Sequence, residues 1–78
     1  MITRNEMALQ MLDNRIEEFE LRMKDTWTPR DYDRHDELEA EYRRMAKEFV
    51  EAFGGEFEEY EQCEYINDVY ALREKMRE

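Results

Sequence analysis

The chain has 78 residues, with 22 acids against 12 Lys and Arg, a net charge of −10 and 44% charged residues. That length allows one small domain whose core leaves little stability to spare. The charge argues against direct nucleic-acid binding, which needs Lys and Arg for the phosphates, and against anionic membranes.

A mean hydropathy of −1.11 raises the question of disorder. Regular apolar spacing, a single Pro and two adjacent Gly answer it in favour of a folded domain. No apolar run approaches the roughly 20 residues of a membrane span. The first ten residues, MITRNEMALQ, lack the apolar stretch of a signal peptide, so a cytoplasmic protein is expected. One Cys, Cys63, permits no internal disulfide, and one Cys with one His makes no zinc set.

A first helix is predicted over about residues 3–25. Thr3 and Glu6 have the spacing of a capping box, with Ile2 and Met7 at the staple positions. Leu9, Leu12, Ile16, Phe19 and Met23 follow in steps of three and four, which keeps them on one stripe. Glu18–Arg22 and Glu20–Lys24 are favourable i,i+4 pairs assigned to the wet side. Met7, Met11 and Leu21 fall off the main stripe and suggest a second apolar face.

A second helix is predicted over 29–53. Thr28 caps it, Pro29 takes the first position and Asp31 supplies the box carboxylate. Trp27 and Tyr32 occupy the staple positions, which makes Trp27 a bracket between helices. The stripe runs through His35, Leu38, Tyr42, Met45, Phe49 and Ala52, and Gly54-Gly55 stops it. His35 lies on that stripe as a partly buried core histidine.

A third helix is predicted over 56–76, with Tyr65, Val69, Leu72 and Met76 facing the others. Tyr60, Cys63 and Tyr70 fall on another side, and Glu61, Glu64 and Asp68 on a third. Short connections make neighbours antiparallel. The expected architecture is therefore all-α: residues 1–78 as a single antiparallel three-helix bundle, with the second apolar face as a route to a homodimer.

Catalytic chemistry finds no support in the sequence. Residues 31–36 resemble a calcium loop only faintly, since Asp36 stands at the glycine position and Tyr42 where the last Glu belongs. The Glu-x-x-His pair of di-metal bundles is missing, because Tyr32 stands three residues before His35. There is no Ser, and Cys63 sits among Glu59, Glu61 and Glu64, which suppress a thiolate. No phosphate loop or dinucleotide fingerprint occurs. The expectation is a protein that is not an enzyme, with no cofactor and no metal.

The strongest functional signal is a charge imbalance. Between Glu48 and Leu72 stand eight carboxylates and no Lys or Arg: Glu48, Glu51, Glu56, Glu58, Glu59, Glu61, Glu64 and Asp68. The rest of the chain holds fourteen acids and twelve bases. On one helix, Glu61, Glu64 and Asp68 would be roughly 4.5 and 6 Å apart along the axis, a density of the order of DNA's phosphates, about 3.4 Å per phosphate on each strand. The expected partner-binding residues are Glu56, Glu58, Glu59, Glu61, Glu64 and Asp68 for steering and ion pairing, with Tyr60 and Tyr70 as anchors. The expected function is inhibition or regulation by occupying a basic, nucleic-acid-binding surface of a partner protein. Phage proteins that disarm host factors, anti-CRISPR proteins among them, are of this general type. The alternative is a scaffolding module acting by homo-oligomerisation or helix docking, with the acids serving solubility.

Overall fold

The computed structural model describes residues 2–77. Most of these are helical, and among them there is no strand. Four helices follow in order: α1 (Arg4–Arg22), α2 (Pro29–Phe53), α3 (Glu58–Glu61) and α4 (Ile66–Met76). No helix is long and apolar enough to cross a membrane.

The two predicted helix starts are present. Thr3 Oγ1 accepts the Glu6 N–H at 3.1 Å. At α2 the box is reciprocal: Asp31 N–H donates to Thr28 Oγ1 at 3.3 Å, and Thr28 N–H to the Asp31 carboxylate at 2.9 Å. Each satisfies a donor that the first turn leaves orphaned. Gly54 closes α2 in the left-handed region at φ 76°, its N–H donating to Val50 O at 2.9 Å. α1 ends at Arg22, three residues short of the expected end, and the turn at Met23 leads to Trp27. The indole Nε1 donates to Leu21 O at 2.7 Å, and its ring meets Tyr32 edge-on. Trp27 thus brackets the α1–α2 corner as its position in the staple suggested.

α1 packs against both α2 and α4 and forms the middle of the molecule. That position explains its second apolar side. Met7, Met11 and Leu21 are buried, Met11 to 1% exposure, whereas Met23 on the predicted stripe stands exposed. The face expected to serve self-association is covered by the chain's own C-terminal third: Met7, Met11, Phe57, Val69 and Met76 belong to one core cluster with Phe49.

Glu18 corrects a further expectation. It is a core residue at 1% exposure, not a wet-side acid, though its pair with Arg22 does form, at 2.5 Å. Glu20 and Lys24 do not pair with each other. Lys24 reaches Asp31 at 2.9 Å, and Glu20 accepts from Tyr70. A buried polar seam joins α1 to α2. Asn14 Nδ2 donates to Leu38 O at 3.1 Å, Arg15 donates to Asn14 Oδ1 and Glu39, and its guanidinium lies 4.1 Å from the Tyr42 ring centre. Buried polar groups held this way fix the register of two helices at little net cost.

The predicted third helix is broken. One turn, α3, is followed by a non-helical stretch at Gln62–Tyr65 before α4 starts. Asp68 causes the restart. Its carboxylate accepts the backbone N–H groups of Glu64 and Tyr65, both at 3.1 Å, in the manner of a capping carboxylate. Tyr65, extended at φ −127° and ψ 161°, becomes the cap residue, and its ring is 70% exposed instead of facing the core.

Candidate partner surface in the acidic segment

The break at Gln62–Tyr65 dissolves the expected carboxylate row. Glu61 ends α3, Glu64 lies between helices and Asp68 sits in the first turn of α4. The three do not share a helix face, so the spacing argument from the phosphate ladder lapses.

The eight predicted partner residues fall into separate places. Glu59 is half-buried and held by Arg4, whose two guanidinium nitrogens reach its oxygens at 2.8 and 2.9 Å. Arg4 itself lies over the Phe49 ring at 5.1 Å. The paired guanidinium holds the Glu59 carboxyl below its usual range, against a smaller opposing effect of burial. Tyr60 packs into the core margin beside Tyr42 and Phe57, and burial pushes its phenol up. Asp68 is spent on the α4 cap, and the Tyr70 hydroxyl donates to Glu20 at 3.2 Å. These four residues work inside the fold.

Glu56, Glu58, Glu61 and Glu64 remain exposed, and among the described residues they enter no ion pair. Glu51 is in the same condition, while Glu48 lies 3.9 Å from Arg44. Glu56 lies near Glu61, lining the same groove. Hydrogen bonding of its protonated form to Glu56 first, and charge repulsion from Glu56 second, raises the Glu61 carboxyl above its usual range.

Between α2 and this segment runs an open groove of about 350 Å³. Met11, Tyr42, Ala46, Val50 and Phe57 supply apolar surface to it, and Lys47, Glu56 and Glu61 supply charge. Arg4, Lys47 and the groove were not visible in the sequence. Arg4 and Glu59 are 55 residues apart, and nothing local announces their meeting.

Two other places hold chemistry. Glu18, His35 and Glu39 bring one ligand atom each within 4.8 Å of one another. The i,i+4 spacing of His35 and Glu39 was the available signal. Both carboxylates are already engaged, Glu18 by Arg22 and Glu39 by Arg15, so the cluster carries no uncompensated charge to attract a cation. Cys63 Sγ lies 3.7 Å from Glu59 O. Burial first, and Asp68 second, pushes its thiol up, which leaves a weak nucleophile.

Comparison with protein-family models, with curated proteins and with solved structures gives no match.

Proposed function

We propose that the chain is a non-catalytic binding protein that presents Glu56, Glu58, Glu61 and Glu64 to a basic surface of a partner protein. One observation carries this reading. These four exposed acids stand within nine residues of one another and lack ion pairs among the described residues; elsewhere unpaired acids such as Glu6, Asp25 and Asp33 are scattered, and Arg34 alone serves Glu17, Glu37 and Glu41. Such unpaired charge raises the free energy of the isolated molecule and is relieved when Lys or Arg of a partner arrives. Steering by a localised field would make association fast and salt-dependent. Basic surfaces of this kind are the ones proteins use for nucleic acid, so inhibition by occupying such a surface stays within the proposal. The support is now charge complementarity, without the ladder spacing.

The test is capture of partners on the immobilised protein from cell lysate, beside the triple variant Glu56→Lys, Glu61→Lys, Glu64→Lys. The expected result is a basic protein retained by the native chain, released at about 0.5 M salt, where the screening length shrinks to a few ångströms, displaced by added DNA, and not retained by the variant. Equal retention by the variant would reject the proposal and leave these acids a solvating face. Retention abolished by the variant but indifferent to DNA would keep the basic partner and remove the nucleic-acid connection.

A further inference from the structure

Resting on the reading of a basic partner, we infer that the groove between α2 and α3 is the socket for a single arginine side chain of that partner. The groove combines two features that an arginine needs and that a plain acidic face lacks. Its walls are apolar, chiefly from Ala46 and the exposed Val50 with the edges of buried Met11 and Phe57, and offer contact to a three-methylene stem. Glu56 and Glu61 line the same space and offer carboxylate oxygens to a planar fork of N–H donors. The volume, about 350 Å³, lies at the lower end of pockets that hold small ligands, and suits one long side chain better than a helix or strand.

The state of the carboxylates supports the same occupant. Glu56 and Glu61 line the same groove, neither has an ion pair among the described residues, and the proximity of Glu56 raises the Glu61 carboxyl. A guanidinium donating to both would relieve the repulsion between them. Lys47, also in the groove lining, makes no ion pair with either acid among the described residues. It opposes an incoming cation and limits its affinity. The Tyr42 ring adds little stacking area, because Arg15 already covers it at 4.1 Å. The wall contact is therefore with the stem, and the charge contact with the acids.

The experiment uses N-acetyl-arginine methylamide and its neutral counterpart N-acetyl-citrulline methylamide, titrated into the ¹⁵N-labelled full chain at neutral pH. A ligand of this size, with only one side chain engaged, is expected to bind with a Kd on the order of millimolar. The expected shifts centre on the amides of Lys47, Val50, Glu56, Phe57 and Glu61. They are absent with citrulline, about tenfold weaker in affinity for Glu56→Gln with Glu61→Gln, and several-fold stronger in affinity for Lys47→Met. Both substitutions change solvent-facing groups, and unchanged amide spectra away from the groove verify the fold. Shifts spread evenly over Glu51, Glu58 and Glu64, equal shifts with citrulline, or no shifts up to tens of millimolar would each overturn the inference.

The two proposals fail separately. A partner captured from lysate whose binding survives Glu56→Gln with Glu61→Gln removes the socket and keeps the acidic surface. Arginine binding in the groove without any captured basic partner removes the partner reading and keeps a cation-binding groove.

Discussion

The α1–α2 hairpin and the segment from Gly54 to Tyr65 treat charge in opposite ways. In the hairpin nearly every acid near the helix interface has a base. Glu17 meets Arg34, Glu18 meets Arg22, Glu39 meets Arg15 and Asp31 meets Lys24. In the segment only Glu59 has an arginine, and it borrows Arg4 from the far end of the sequence. The first region spends its charges on its own geometry. The second holds apolar anchors inward, Phe57 and Tyr60, and leaves Glu56, Glu58, Glu61 and Glu64 outward and, among the described residues, without an ion pair. Paired and unpaired charge thus fall on different stretches of one short chain.

Substitutions can break that contrast, starting with the largest effect. Phe49 is 1% exposed and touches Phe53 and Phe57 while Arg4 covers it. Phe49→Ala is expected to cost about 3–5 kcal/mol in urea unfolding. That loss is much of a small domain's stability, and it would loosen hairpin and acidic segment together. A loss under about 1 kcal/mol would mean that the segment does not depend on the hairpin's core.

Gly54→Ala comes next. Nothing stands within 4 Å of an added Cβ, so the cost is that of a left-handed backbone alone, about 1–2 kcal/mol by thermal unfolding. A neutral result would show that the α2 end relaxes without displacing Phe57. Asp68→Ala removes the carboxylate that holds the Glu64 and Tyr65 N–H groups and should cost about 1 kcal/mol. Its signature is local: faster amide exchange at Glu64 and Tyr65, with α1 and α2 unaffected.

The smallest effect has the opposite sign. The folded chain holds the Glu61 proton more tightly than the unfolded chain does. Stability should therefore rise as pH falls through the window just above the ordinary carboxylate range, about 4.3 for Glu. Glu61→Gln should raise the melting temperature slightly at neutral pH and remove that rise. Glu59 runs the other way. Its carboxyl is lowered by Arg4, so its contribution is present above the ordinary range and fades as pH falls through the lowered value. Arg4→Met should erase the Glu59 dependence and leave that of Glu61. Added salt should likewise raise the melting temperature of the native chain and less so that of Glu61→Gln, since screening relieves repulsion already removed.

The two long helices were legible because their signals are local. Thr28, Pro29 and Asp31 mark a start within four residues, and Gly54 marks an end by its backbone freedom alone. The break in the third was hidden. Gln62–Tyr65 contains neither Gly nor Pro, and a tyrosine at the cap position does not match the Ser/Thr/Asp/Asn signature. Only the box carboxylate, Asp68, was in place, and it read as one more surface acid. The second apolar side of α1 was visible, but what covered it was not. Periodicity shows that a helix has two apolar sides without saying whether α4 of the same chain or another molecule lies there. The same limit applied to the site. Composition located the acidic region, whereas the division into spent and free carboxylates depends on Arg4, Glu20 and the turn at Gln62, which are contacts of the folded chain.

The clasp between Arg4 and Glu59 also bears on how the molecule assembles. The corner at Trp27 lets α1 and α2 find each other across a short connection, with little chain entropy to lose in closing it. The clasp, and the Arg73–Asp13 pair about two and a half turns further along α1, join residues 55 and 60 positions apart along the sequence. Contacts of such long range form late and open early. The expected order is therefore the hairpin first and the acidic segment last, which low φ-values at Phe57 and Val69 would check. A chain still being synthesised or briefly opened would expose Met7, Met11 and Phe49 before that piece covers them. The half-exposed clasp adds at most about 1 kcal/mol to holding that piece in place, so most of the protection comes from Phe57, Val69 and Met76 in the core.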